Sequence, residues 1–336
     1  MESVNIKKLA QILNISISTV SKALRDSHDI SKETKERVIA LANELNYQPN
    51  PYASSLRKNK SKTIAVIIPE IDNNYFSLAI NGIESIAQEK GYHVLIYLTH
   101  ESYLKEVALT KLLHNGRVDG VLISLSTTTT DYSHLLELQA KGLPIVFFDR
   151  VCENFDTACI TTDDYDSAFN ATKHLIDQGC KKIAHLMISK NLSIGNKRLA
   201  GYQKALLDYQ LPEDETLIIN CTNDEKTDLA LIKNLLQEKK PHGIFAAVER
   251  YAIGTYQACK ELNIIIPEEL KIISFSNLQT ASLLNPSLTT ITQPAFQIGK
   301  EAATILFKAL DEKRFQLKNE NIVFKSTLLQ RESTSK

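Results

Sequence analysis

The chain has 336 residues, 43% of them apolar and 23% charged, with 39 basic side chains balanced by 39 acidic ones. That length is too great for one ordinary core and suits two or three domains, and the composition excludes disordered and fibrous classes. No apolar run approaches the roughly 18 residues of a membrane span, and the charged residues 1–8 are not followed by a secretory signal's apolar stretch, so a cytoplasmic protein with no membrane partner is expected.

The zero net charge hides an asymmetry. Residues 1–62 hold eleven basic and six acidic side chains, and a small basic module on an acidic body is the electrostatic pattern of a nucleic-acid binder, although a solvated basic face looks the same. Ile6, Leu9, Ala10 and Leu13 form one stripe of an amphipathic helix behind an Asn5 cap. Ser16 starts a second helix that runs to about Arg25, its hydroxyl placed to cap Ser18 or Thr19, with Val20, Ala23 and Leu24 facing inward. Only Asn14 to Ser16 separate the two, which is helix-turn-helix spacing. Ser31 caps a third helix over about 32–45, with Val38, Leu41, Ala42 and Leu45 as its stripe.

Four stretches carry a resemblance to a known family: Val4-Asn5-Ile6-Lys7-Lys8-Leu9-Ala10, Ser16-Ile17-Ser18-Thr19-Val20-Ser21-Lys22-Ala23-Leu24, Ser31-Lys32-Glu33-Thr34-Lys35-Glu36-Arg37-Val38 and Leu45-Asn46-Tyr47-Gln48-Pro49-Asn50. In register and without gaps, they resemble the LacI/GalR family of bacterial regulators. The resemblance implies that the second helix enters the major groove, with Ile17, Ser18 and Lys22 at base edges; for Ile17 a core role is the alternative. Lysine is a point charge without arginine's bidentate fork, and the family more often has arginine at the place of Lys22, so discrimination there is softer. Ser16, Thr19, Ser21, Ser31 and Thr34 are implied phosphate contacts, or simply helix caps. Arg25, Tyr47, Asn50, Ala53 and Arg57 complete the surface assigned to double-stranded DNA.

Residues 49–61 read as a hinge. Asn50 can cap and Pro51 is tolerated at the first helical position, yet the helix would have only about seven residues, and isolated helices shorter than about 12 are marginal in water. Such a segment is expected to fold against DNA and a dimer mate; a flexible tether is the alternative. By resemblance, Leu56 wedges into the minor groove and opens a base step.

From residue 62 the pattern alternates strand and helix, with candidate strands at 63–68, 93–98, 120–124, 144–148, 158–161, 182–188, 243–248 and 271–275. Apolar strands alternating with helices imply parallel sheets buried on both faces. Val118-Asp119-Gly120-Val121-Leu122-Ile123 parallels Pro241-His242-Gly243-Ile244-Phe245-Ala246, and Lys62-Thr63-Ile64-Ala65-Val66-Ile67 echoes Lys181-Lys182-Ile183-Ala184-His185-Leu186. Two doubly wound halves account for both. The whole is expected to be an all-α helix-turn-helix headpiece (1–48) followed by an α/β two-lobed sensor resembling the type I periplasmic-binding-protein fold. Its first lobe is expected at 62–160 and 291–320 and its second at 161–290 and 321–333.

Ligands of open α/β sheets bind beyond the carboxyl ends of strands. That puts Asn74, Tyr75 and Phe76, and Asp149 with Arg150, at a cleft. Asp163, Arg198, Glu249, Arg250, Ser276 and Asn277 are expected to face them from the second lobe. Carboxylates and arginine suit paired hydroxyls, and an aromatic face suits a sugar ring or a base. A structural ion pair is the alternative for Asp149 and Arg198, and a core role for one of Tyr75 and Phe76. Where the family has an Asn-Asp pair this chain reads Val248-Glu249-Arg250, and it reads Ser274-Phe275-Ser276-Asn277 where a further carboxylate is usual. A carbohydrate effector is therefore expected, with Arg198 and Arg250 suited to a phosphorylated or acidic sugar, but its identity does not carry over. The resemblance further implies a homodimer on a near-palindromic operator, acting as a repressor; no leucine heptad follows residue 331 to make a tetramer.

Two rivals are a nucleotide-dependent enzyme and a solute-binding transport component. The first lacks any GxGxxG, GxxxxGK[ST] or GxSxG motif in a chain of only 11 glycines, and the second lacks a signal peptide and would not carry a headpiece. Five scattered cysteines without a CxxC, and eight histidines without HExxH spacing, point to neither a disulfide framework nor a zinc site. No cofactor is expected.

Overall fold

The computed structural model describes residues 5–47, 60–113, 116–222, 224–312, 314–318 and 320–335, which separate into two compact units divided after Ser61. In the first unit each helix is started by a side-chain cap. Asn5 accepts the Lys8 amide ahead of α1 (Ile6–Leu13), Ser16 that of Thr19 ahead of α2 (Ile17–Ala23), and Ser31 that of Thr34 ahead of α3 (Lys32–Glu44). Asn14, in the left-handed region at φ 53°, ends α1 and makes the short turn possible, as asparagine tolerates that conformation better than most residues. Leu9, Ala10, Val20, Ala23, Val38 and Ala42 form the shared core, with Leu13, Leu24, Leu41 and Tyr47 around it.

The second unit begins with β1 (Thr63–Ile68), α4 (Asn74–Glu89), β2 (His93–Leu98), α5 (Tyr103–Leu113), β3 (Gly120–Ile123), α6 (Ser133–Ala140), β4 (Ile145–Phe148) and β5 (Cys159–Thr162). It continues through α7 (Asp164–Asp177), β6 (Ile183–Met187), α8 (Ser193–Asp208), β7 (Ile218–Asn220), α9 (Glu225–Lys239), β8 (Gly243–Ala246), α10 (Glu249–Leu262), β9 (Lys271–Phe275) and β10 (Thr289–Thr292). It closes with α11 (Ala295–Asp311), β11 (Asn321–Phe324) and β12 (Thr327–Leu329). Among the described residues the strands form two six-stranded sheets, ordered β11-β5-β4-β3-β1-β2 and β12-β10-β9-β8-β6-β7. The two echoed segments occupy matching places, β3 opposite β8 in the order and β1 opposite β6. All pairs are parallel except β10 with β12. All six residues of β1 are buried, as expected of a strand covered on both faces.

Four short strands escaped the sequence pattern: β7, β10, β11 and β12. Their lengths of three or four residues hold no periodicity, and the buried threonines of β10 look like loop residues. Here Thr289 donates its amide to Ser333 Oγ and shares its hydroxyl with Thr334, so the C-terminal tail satisfies them. The strands also move the lobe boundaries a few residues later than expected. β5 ends at Thr162 in lobe 1, β10 stays in lobe 2 to Thr292, and β11 pairs with β5 before the last crossing at about 325.

Candidate DNA-binding face and effector cleft

The helix α2 presents Ser16, Ile17, Ser18 and Lys22 to solvent. Ile17 is 40% exposed and lies outside the headpiece core. Ser16 Oγ accepts the Thr19 amide at 3.1 Å and pairs with the Ser18 and Thr19 hydroxyls at 2.6 and 2.8 Å. Ser31 caps Thr34 at 3.3 Å. Ser16 and Ser31 thus act as caps, and a hydroxyl whose oxygen accepts an amide can still donate its hydrogen to a phosphate. Arg25 turns back, its Nε donating to Ser21 O at 2.9 Å and Nη2 to Ser21 Oγ at 3.1 Å. Lys22 pairs with Asp29 at 3.1 Å, an exposed contact that DNA can displace at little cost. Tyr47 packs against the core, so any DNA contact from it is made by an exposed edge only. Asn50, Ala53, Leu56 and Arg57 lie outside the described residues.

In the sensor, eight of the expected residues surround one cavity between the lobes: Tyr75, Phe76, Asp149, Arg150, Arg198, Glu249, Ser276 and Asn277. The loops that deliver them follow β1, β4, β6, β8 and β9, at the carboxyl ends of both sheets. The space left is about 30 Å³, enough for water but an order of magnitude below a small-molecule pocket. Arg198 fills much of the floor. It is 2% exposed, with Nε and Nη2 on Asp164 Oδ1 at 2.8 and 2.7 Å, and Nη1 on Ala247 O at 2.6 Å. Its guanidinium carbon stacks 3.7 Å from the Phe275 ring centre. The five donors of the fork are only partly used by these contacts.

Asp149 stands across from it with φ 62°, a strained conformation for a residue with a side chain and one that concentrates at functional sites. Burial pushes its carboxyl up to about 6, against the pull of Arg150 and Arg198 and with a further push from Asp164. Burial, then Asp149, drive the Tyr75 hydroxyl well above its usual value. Because the folded state holds the Asp149 proton more tightly than the unfolded chain, the stabilisation is complete below about pH 4 and is lost as pH rises through 6. Asp149→Asn keeps a residue that tolerates positive φ and is expected to gain on the parent by up to about 3 kcal/mol at pH 7.5, with the gain vanishing near pH 4. Urea denaturation at the two pH values checks this; an equal effect at both would contradict it.

Three expected cleft residues lie elsewhere. Asp163 Oδ1 accepts the Ser167 hydroxyl and the Ser326 amide, each at 2.8 Å, and so ties two inter-lobe crossings together. Its neighbour Asp164, one position on and opening α7, takes the inward place and binds Arg198. Arg250 points to Glu70 at 3.3 Å and lines a separate 300 Å³ pocket with Asn74, which meets the cleft only through its backbone amide on Glu249. The cavity takes Asn73 instead, together with Val248, Phe275 and Gln293. Arg150 is held by both oxygens of Glu101, at 2.8 and 2.9 Å. Nothing in the local pattern around Glu101 marks it, because its partner is 49 residues away. Among the described residues no cluster could hold a metal ion, and no helix is long and apolar enough to cross a membrane.

Residues 5–50 match the model for bacterial regulatory proteins of the lacI family, and residues 172–334 match a periplasmic binding protein-like domain. The chain is 30% identical over 309 residues to the HTH-type transcriptional repressor PurR of Vibrio atlanticus (strain LGP32), covering 92% of each. It is 31% identical over 330 residues to the ribose operon repressor of Halalkalibacterium halodurans, covering 96% of each. The crystal structure of the lac repressor dimer bound to operator and the anti-inducer ONPF shares the fold, with a TM-score of 0.85, 22% identity and 99% of both chains covered.

Proposed function

The chain belongs to the lacI family of bacterial regulatory proteins, and from that premise we propose how this transcriptional regulator works. As a homodimer in the cytoplasm, it sets two copies of α2 about one DNA turn apart on a near-palindromic operator and represses transcription. A small polar effector, a sugar or sugar derivative, enters between the sensor lobes and changes the affinity of the headpieces for DNA. No turnover of the effector is part of this reading. The observation that carries it is the convergence of groups from both lobes on one cavity, Tyr75, Phe76 and Asp149 from lobe 1 and Arg198, Ser276 and Asn277 from lobe 2. A molecule that touches both sides has a different affinity for each lobe arrangement, which is the condition for coupling.

Selection of duplexes from a random pool by the full-length protein, followed by titration of the selected duplex with sugars and sugar phosphates, tests the proposal. A preferred sequence whose affinity shifts with one compound is expected, and binding no tighter than to bulk DNA would sink it. On the selected duplex, Lys22→Ala is expected to raise Kd about tenfold or more, the weight of one base contact, with a smaller change on random DNA at the same salt. Equal losses on both would reduce Lys22 to a phosphate contact.

A further inference from the structure

The cleft holds a carboxylate of its own. Glu249, the first residue of α10 in lobe 2, accepts the backbone amide of Asn74 through Oε1 at 3.3 Å. Asn74 is the first residue of α4 in lobe 1, where a helix amide has no intrahelical acceptor. The other oxygen, Oε2, accepts the Ser276 hydroxyl at 2.8 Å and the Asn277 amide at 3.2 Å. Three donors from two lobes therefore converge on one side chain, and both of its oxygens act only as acceptors. The neighbouring Arg250–Glu70 pair spans the lobes in the same place, and Lys197 meets Glu153 at 2.8 Å across another part of the junction.

We infer that Glu249 is a tethered carboxylate ligand of the protein's own effector cleft, holding the two lobes together and occupying donors that an incoming molecule must win. The inference rests on reading the cleft as the effector site, and it deepens that reading by naming the regulating group. The chemistry sets two consequences. An effector that uses the Asn74, Ser276 and Asn277 donors has to supply acceptors that replace the carboxylate, as an acid or a dense set of hydroxyls does. A molecule that cannot replace it has only the 30 Å³ remaining among the side chains. Glutamine is a poor substitute, because its one carbonyl oxygen can serve one lobe while its NH2 group faces donors on the other.

The test uses the full chain without DNA or effector, so that failure of operator binding cannot be confused with failure of the latch. Hydrogen exchange is followed at the Asn74 and Asn277 amides in the parent, in Glu249→Ala and in Glu249→Gln. In the alanine variant both amides are expected to exchange at least about tenfold faster, as befits loss of a charge-assisted hydrogen bond. Acetate, but not chloride at equal ionic strength, is expected to slow them again by filling the vacated acceptor position. In the glutamine variant, one amide stays protected and the other is released. Parent-like exchange at both amides in either variant overturns the inference, as does faster exchange in alanine that acetate and chloride affect alike. Should Glu249→Ala fail to fold, the glutamine variant alone decides.

Discussion

Arg198→Ala is expected to cost the sensor about 3–5 kcal/mol, the usual penalty for stranding one half of a buried ion pair. Asp164, itself 2% exposed, would lose its partner; Ala247 O would lose its donor; and the Phe275 ring would lose the guanidinium stacked on it. Burial already pushes the Asp164 carboxyl above its usual value even with the arginine present, so the stranded acid is expected to take up a proton rather than remain charged. Lysine cannot rescue the site, since one ammonium cannot reach Asp164 and Ala247 with the geometry of a planar fork. Stability and function can be separated by adding Asp164→Leu to Arg198→Met. Replacing both charges by apolar groups is expected to recover most of the lost stability in urea titrations. The response of operator binding to effector is expected to stay absent, because the cavity has lost its principal cation. Recovery of that response in the double variant would show that Arg198 serves only the ion pair.

The second large effect is expected at Gly299. In lobe 1, α4 and α11 cross so closely that a Cβ built at Gly299 would sit 1.9 Å from the carbonyl oxygen of Ala79, and one at Gly82 would sit 2.1 Å from that of Phe296. These obstacles are backbone atoms of a packed helix, which cannot swing aside as a side chain can. Gly299→Ala is therefore expected to destabilise by about 3 kcal/mol or more, at the upper end of overpacking penalties, and Ala79→Gly should not rescue it because the clash is with a main-chain oxygen. Gly254 in α10 supplies the contrast. A Cβ there would meet only Ile232 Cδ1 at 3.4 Å, so Gly254→Ala is expected to be neutral or to stabilise by up to about 1 kcal/mol. The urea midpoint should fall for Gly299→Ala and hold or rise for Gly254→Ala. Since α4 also carries Asn74, Tyr75 and Phe76, any Gly299→Ala protein that does fold is expected to have a displaced cleft wall and a weakened effector response.

The residues that sequence reasoning located best are those whose roles are local. Asn5, Ser16 and Ser31 were legible as caps because a cap needs only a short polar side chain three residues ahead of the amide it serves. The strands of both sheets from β1 to β6, together with β8 and β9, were legible as short apolar runs, which burial on two faces demands of the inner strands and which the edge strand β2 carries although it is largely exposed. The helix-turn-helix and the two-lobed architecture follow from those local signals combined with the family resemblance. Which polar group faces which was decided by the tertiary structure alone. Asp164 rather than Asp163 meets Arg198, 34 residues away; Glu101 holds Arg150; and Glu249 reaches an amide 175 residues earlier. An ion pair or hydrogen bond forms wherever the packed sheets happen to bring donor and acceptor together, and neither periodicity nor propensity records a partner that distant. The same reason hides β10, β11 and β12, whose stability comes from strands and tail residues brought beside them after two crossings between lobes rather than from any pattern of their own.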